Sequence, residues 1–398
     1  MTKKIILASA ISTALLAGAM PSQAQSFTEF AKEGDVIAEL RIRTETVQQD
    51  NAKDDAIAMT ARTRLGYETA SMAGFKVLAE YDHVTALQNE YNSKTDFGSD
   101  DKTKSVVADP ATGDINRAQV SYTSAEFGTI LGRQRIILDN ARFVGNVGWR
   151  QNEQTYDAAR IDVTAVENLT ATYAYISQVN DIFFNDVDVE NHLLNLGYKT
   201  PIGKVTGYSY LLKDSDSEGT LDTFGLRVKG QKALAALDVL YTAEYATQTQ
   251  NSGADGAKDN DAAYSLIEAG INVSGITLAA GMEILAGDGT ASFSTPLATK
   301  HAYNGWSDTF LATPINGLSD TYAKAMTKVA GVKLLAVYHD FSSDKEGDDL
   351  GSEINLLAAK KFDKHFSAGI KYAQYTAGDD SYAYVDTDKL WVWAEAKF

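Results

Sequence analysis

Hydrophobic and polar residues alternate with a period of two along most of the chain. In the stretch 36–47 one parity is apolar and the other charged: Ala38, Leu40 and Ile42 against Glu39, Arg41, Arg43 and Glu45. The stretches 56–69, 75–82 and 116–123 repeat the pattern. Such alternation predicts β-strands that have one apolar face and one wetted face.

The spacing of the links between strands separates a membrane barrel from a soluble sandwich, whose strands alternate in the same way. Short links, such as 200–203, 230–232 and 330–331, alternate with longer, mostly acidic links, such as 84–115 and 136–154. Outer-membrane barrels have this plan, with brief periplasmic turns and larger external loops. The chain is therefore predicted to be all-β, a transmembrane antiparallel β-barrel of about 18 strands, with 16 as the alternative count.

The faces of the strands follow from the cost of placing charge in lipid. An Arg or Lys at the midplane costs about 2–4 kcal/mol, so the charged parity of the first strand must face the lumen. If Val47 pairs with Ala56 across the first hairpin, Arg41 lies opposite Arg62. A barrel of this size encloses water, which would solvate these charges.

The two ends of the chain carry targeting features. Residues 1–24 have a basic start, an apolar run and a small-x-small ending at Ala24, as in a secretory signal peptide. The segment 389–398 is an amphipathic strand that ends on Phe398, which resembles the signal read by the bacterial barrel-insertion machinery. Residues 25–398 are then expected to form a single barrel domain in the cell outer membrane.

Composition removes several other classes of protein. The formal net charge of −17 becomes −19 without Lys3 and Lys4 and argues against binding to nucleic acid. The five histidines are scattered without metal-ligand spacing, and there is no GxSxG elbow. We expect neither an enzyme nor a bound metal or cofactor.

Arginine is concentrated in the first part of the chain, where ten of the eleven precede residue 161. Guanidinium groups suit carboxylates, so a row of them along a wet pore predicts a track for anionic solutes. The alternative is that acids such as Glu39 and Glu80 neutralise them in structural pairs. Strict parity puts Arg133 and Arg135 on the lipid side, unless Gly132 forms a bulge that re-aims them or they lie above the membrane. The predicted pore-lining set is Arg41, Arg43, Arg62, Arg64, Arg117, Arg133, Arg142, Arg150 and Arg160.

Two blocks of sequence resemble the alginate-export-type porins of bacteria, relatives of the 18-stranded substrate-specific porins. The first block comprises Gly132-Arg133-Gln134, Arg142-Phe143-Val144-Gly145, Trp149-Arg150-Gln151 and Tyr156-Asp157. The second comprises residues 295–299, 302–308 and 314–318. The resemblance implies passive passage through a barrel narrowed by loops folded inward near 136–154 and 287–319, with Arg133, Arg142, Arg150 and Arg160 as candidate solute contacts.

Three functions remain open from the sequence. The first is an outer-membrane diffusion porin for small anionic or sugar-acid solutes. The second is an exporter of an acidic, alginate-like polysaccharide, and the third is a plugged surface adhesin or structural barrel. Outer-membrane lipid and lipopolysaccharide are expected partners, the latter through external acids such as Asp344, while the solute and the oligomeric state stay open.

Overall fold

Eighteen antiparallel strands close into one barrel in the computed structural model, which describes residues 27–254, 258–379 and 382–398. The predicted fold class and strand count are confirmed. The predicted signal peptide, residues 1–24, lies outside the described residues. Each strand pairs with the next, and β18 pairs with β1, which closes the barrel. Among the described residues, no helix has the length and apolarity needed to cross a membrane.

The strands are 8 to 16 residues long and follow one short helix, α1, at Phe27–Lys32. Their bounds are β1 Asp35–Gln49, β2 Ala56–Glu68, β3 Phe75–Glu90, β4 Gly113–Thr123, β5 Phe127–Gln134, β6 Thr155–Val163, β7 Leu169–Asn180, β8 Asp186–Thr200, β9 Gly203–Lys213, β10 Thr220–Leu234, β11 Leu237–Asn251, β12 Asn260–Val273, β13 Ile276–Leu285, β14 Leu318–Val329, β15 Val332–Ser342, β16 Asp349–Lys361, β17 Phe366–Thr376 and β18 Thr387–Lys397.

The first hairpin has the predicted register. Val47 pairs with Ala56, which places Arg41 opposite Arg62 across the two strands. A shift by one residue would turn every charged side chain of β1 toward lipid, so the alternation of side chains fixes this register.

Apolar residues cover the outside of the barrel and charged residues line its inside. Leu65, Ile267 and Ile370 are 57%, 69% and 46% exposed on the outer face. Arg43 and Glu80, at 1% and 3%, are buried within the lumen. This inversion of a soluble core is the expected arrangement for a wall that has lipid outside and water inside.

One predicted turn is wrong by several residues. The strand β10 continues through 230–232 to Leu234, and the turn is formed by Ala235 and Ala236. Gly230 and Lys232 suggested a turn, yet both pair in register with β11. Ala235 adopts a φ of 52°, a conformation that alanine seldom adopts and that its sequence does not signal.

Two long loops lie inside the barrel and pack against each other. Loop 1 (135–154) joins β5 to β6, and loop 2 (286–317) joins β13 to β14. The backbone N–H of Gly145 donates to Leu297 at 2.9 Å, and that of Thr299 donates to Ala141 at 3.0 Å. Val144 of loop 1 and Phe293 of loop 2 are fully buried with Tyr264 of the wall. The barrel therefore has its apolar core between these loops and strands β6 to β17.

Candidate solute pathway in the barrel lumen

The arginines of β1 hold loop 1 rather than facing open water. The Arg41 guanidinium donates to the Gln151 side chain at 2.8 Å, to the Gly148 carbonyl at 3.1 Å and to the Arg150 carbonyl. Arg43 donates to the Trp149 carbonyl and to Asp109. Four consecutive residues of loop 1 are thus fixed to the wall by two side chains.

The arginines of β2 and β4 lie in a cluster with acids. Arg62 contacts Glu39 at 3.0 Å. Arg64 makes two bonds of 2.6 Å to Asp82 and one of 2.7 Å to Glu153 of loop 1. In the same cluster the Arg117 guanidinium donates to both oxygens of Glu80, at 3.0 and 2.6 Å.

Two arginines of loop 1 reach separate parts of the barrel wall. Arg142 binds Glu283 of β13 at 2.7 and 3.2 Å and Asn304 of loop 2 at 2.9 Å. Arg150 binds Glu45 of β1 and Asp308 of loop 2, both at 2.9 Å. These two side chains therefore anchor loop 1 to β1, to β13 and to loop 2.

The remaining two predicted residues lie apart from these anchors. Arg160 faces the lumen on β6 and pairs with Asp162 at 2.8 Å. Arg133 lies on the outer face, because it is in register with Ala118, which shares a face with exposed Val120. Its partners are exposed acids near the external ends of the strands, among them Asp157 at 2.9 Å. The prediction that Arg133 lines the pore is therefore corrected.

The position of Arg133 follows from strand parity. No register shift occurs at Gly132, although its φ is 112°. The neighbouring Arg135 lies just beyond the last residue of β5. The alternation of the strand therefore no longer fixes the direction of its side chain, which turns inward to Glu153. The predicted bulge at Gly132 is absent, and of the two arginines only Arg133 lies on the outer face.

Most of the predicted arginines are thus enclosed by partners, as the structural-pair alternative expects. Arg117, Arg135 and Arg160 keep 17%, 26% and 20% of their side chains exposed. These three are the arginines of the cluster and of β6 that water in the lumen can still reach. Sequence reasoning did not find the partners in loop 2, such as Asp308, because residues more than 150 positions away supply them.

A cavity of about 620 Å³ opens above the loops, and we name it the vestibule. Its walls come from β1, β18, both inward loops and the external links 91–112, 181–185 and 377–386. Four cationic and two acidic side chains line it, together with His301: Lys94, Arg150, Lys300 and Lys389 against Asp181 and Asp308. Asp308 accepts bonds from Arg150 at 2.9 Å and from Lys389 at 3.1 Å.

The model of the alginate export family matches residues 36–297, well over half of the chain. The chain belongs to the alginate export family. A search of curated proteins returned no match.

Solved structures similar to this family member have the same barrel. OccAB1 of Acinetobacter baumannii has a TM-score of 0.70 at 11% identity, over 95% of this chain and 99% of that one. OccK9 (OpdG) of Pseudomonas aeruginosa has a TM-score of 0.69 at 14% identity, over 93% of this chain and 100% of that one. OpdK of Pseudomonas aeruginosa, solved with vanillate, has a TM-score of 0.68 at 10% identity, over 93% of this chain and 99% of that one. At these identities the likeness establishes the fold.

The imidazole of His301 lies at the floor of the vestibule of this alginate export family barrel. Its Nδ1 contacts Asp308 at 2.6 Å, and its ring stacks on Trp149 at 5.0 Å. Burial lowers the pKa of His301 to about 3, although Asp308 acts in the opposite direction. At neutral pH the ring is therefore uncharged, and the cations of the floor are its lysines and Arg150.

Acid is expected to loosen the inward loops. With the loops released, His301 has its ordinary pKa of about 6.5, so between about pH 6.5 and 3 the released form binds more protons. The free energy that holds the loops closed therefore falls as the pH falls through this window. Acrylamide quenching of tryptophan fluorescence should rise toward pH 3, and His301→Gln should flatten the rise. Equal profiles for the two proteins would contradict this assignment.

Proposed function

We propose that this member of the alginate export family is a passive outer-membrane porin that favours small anionic solutes, sugar acids among them. The supporting observation is the charge of the vestibule, which is lined by residues of both inward loops and of the external links. Its lining has more cationic than acidic side chains. A focused positive field of this kind raises the local concentration of anions.

Two lysines of the vestibule are free to attract a solute. Lys94 and Lys300 make no ion pair with any carboxylate in the described part of the chain, whereas Arg150 and Lys389 share Asp308. Lys300 lies on the short helical turn Lys300–Ala302 of loop 2 and also borders a smaller polar cavity beside Arg142. Lys300 is therefore our first choice for contact with a solute carboxylate, and the exposed faces of Arg117 and Arg160 would follow it.

The likeness to OpdK agrees with this class of solute. That protein was solved with vanillate, an aromatic carboxylate. The shared barrel does not by itself transfer the ligand, but a cationic vestibule of about 620 Å³ has the size and charge for a small organic anion.

Reversal of the vestibule charge tests the proposal. The double variant Lys94→Glu, Lys300→Glu should lower the ratio of anion to cation permeability by about fivefold per reversed charge, because each contributes about 1 kcal/mol. Planar-bilayer reversal potentials in a KCl gradient measure this ratio. Lys53→Glu is the matched control, since Lys53 lies in the link between β1 and β2 and does not line the vestibule. Unchanged ratios in the double variant would contradict the proposal.

The family name supports a second candidate, export of an acidic polysaccharide. The same cations would attract its carboxylates, but a polymer would have to thread past two loops that hydrogen-bond to each other across the bore. A secretion assay in a deletion strain separates the two functions, because a small-solute porin leaves polysaccharide export intact. A plugged adhesin would conduct no ions in any variant.

A further inference from the structure

All four tryptophans of the chain meet at one place in the lumen. The ring of Trp149 in loop 1 lies edge-on to Trp391 at 5.8 Å and to Trp393 at 5.5 Å, both on β18. Trp306 of loop 2 joins them through the Lys371 ammonium, which lies 3.7 Å from the centre of its ring. These rings come from both inward loops and from the wall, so their contact requires all three to be in place.

The ammonium of Lys371 occupies the centre of this cage. It lies 4.4 Å from the Trp149 ring and 5.5 Å from the Trp391 ring, in addition to Trp306. The residue is 6% exposed and makes no ion pair with a carboxylate of the described residues. A cation withdrawn from water without an opposite charge is costly, and the faces of the three rings together with Nε2 of His301 offset part of this cost.

A hydrogen-bonded chain continues from the ammonium into both loops. Lys371 donates to Nε2 of His301 at 2.7 Å, so Nδ1 of that ring carries the proton that is donated to Asp308 at 2.6 Å. Asp308 in turn binds Arg150 of loop 1 and Lys389 of β18. One side chain on β17 thus contacts loop 2 directly and is linked to loop 1 by a ring face and by this chain.

We propose that Lys371 is a positioning residue that holds loops 1 and 2 against the β17–β18 wall and thereby sets the width of the bore. The proposal rests on the proposed function only for its consequence on conduction. The contacts of the cage concern the position of the loops, which does not depend on the proposed function. Lys371 does not line the vestibule, so its effect on solutes passes through the loops.

The variant Lys371→Met tests this role, because methionine fills a similar volume and lacks the charge. The fraction of channels with displaced loops should rise by about tenfold, as expected from the loss of a desolvated cation–π contact. In planar bilayers this appears as a larger and more variable single-channel conductance. In detergent it appears as stronger acrylamide quenching of the tryptophans, all of which report on this cage.

Lys324→Met is the matched control. Lys324 is also a lumenal lysine beside an aromatic ring, but its ion pair with Glu268, at 2.5 Å, and its contact with Tyr322 involve no residue of either loop. It should leave quenching unchanged. Wild-type quenching in Lys371→Met would overturn the proposal, and if no form of the protein conducted, only the proposed function would fail.

A second variant keeps the test valid if Lys371→Met does not fold. Trp306→Leu keeps the lysine and removes the ring nearest to it. The remaining three tryptophans should again become more accessible to acrylamide. Heat-modifiable migration of the protein in gel electrophoresis shows that the barrel is assembled. Unchanged quenching of the three in a folded Trp306→Leu barrel would also overturn the proposal.

Discussion

Replacement of Arg142 with alanine is expected to release the far end of loop 1 and to enlarge single-channel conductance. Arg142 is 2% exposed and holds Glu283 and Asn304 together. Without it, the Glu283 carboxylate stays buried with no cation, and loss of one partner of such a pair costs about 3–5 kcal/mol. The loop is expected to leave the wall so that Glu283 regains water. Bilayer conductance and the thermal unfolding of the barrel measure the two effects.

Two further variants separate the loss of the anchor from the loss of an arginine. Arg227→Ala also leaves a buried carboxylate, Glu244, without its cation, but this pair joins β10 to β11 and hydrogen-bonds to neither loop; its conductance should stay close to wild type. The pair Arg142→Met, Glu283→Gln leaves no unpaired charge and should recover most of the stability. A wild-type conductance in Arg142→Ala would contradict the description of loop 1 as anchored to the barrel wall.

Substitution of Gly305 by valine should displace loop 2. Gly305 has a φ of 84°, and a Cβ built there would overlap the Glu353 carboxylate, 2.7 Å from its Cδ. That carboxylate cannot easily move, because Ser307 binds it through its N–H at 2.9 Å and its hydroxyl at 2.5 Å. We expect a loss of about 2–5 kcal/mol from strain and overpacking together, measured as a lower unfolding temperature and an altered conductance.

Gly347 offers the matched position for this test. Its φ is 73°, and no atom lies within 4 Å of the Cβ that a substitution would add. Gly347→Val therefore carries the backbone strain without the clash and should change stability by only about 1–2 kcal/mol and conductance not at all. Equal effects at the two positions would mean that the contact of loop 2 with Glu353 does not hold the loop.

The barrel itself was predictable from local sequence. The period-two alternation identifies the strands and fixes the register of the first hairpin, because a one-residue shift exposes a row of charges to lipid. The same parity placed Arg133 on the outer side, where it lies. The turn at Ala235 was missed because its residues are ordinary strand or helix formers, and the register of the β10–β11 hairpin holds it in an unusual backbone conformation.

The lumenal site was less predictable, since its contacts join distant parts of the chain. The sequence identifies the arginines and the acids but not which of them meet: Arg142 lies 141 positions from Glu283, and Arg150 lies 158 from Asp308. It also gives no sign that Asp109, in the external link after β3, would bind Arg43 inside the barrel. Lys371 stands among ordinary strand residues, and only the fold surrounds it with tryptophan.

These contacts give a consistent physical picture of the bore. The arginines of β1 and β2 donate most of their side-chain hydrogen bonds to loop 1. Acids on β13 and β16 accept hydrogen bonds from residues of both loops. The cations that we propose for contact with a solute are therefore Lys94, in the external link after β3, and Lys300 of loop 2, which both line the vestibule. Selectivity would then depend on a few unpaired cations and not on the net charge of the chain.

The reversal potential of the wild-type channel in a KCl gradient tests the central claim most directly. Refolded protein inserted into a planar bilayer should form discrete channels, and the zero-current potential should have the sign set by chloride flowing down its gradient. A potential of the opposite sign, or a bilayer that stays silent although assembled barrels have been inserted, would contradict the account of an anion-favouring porin.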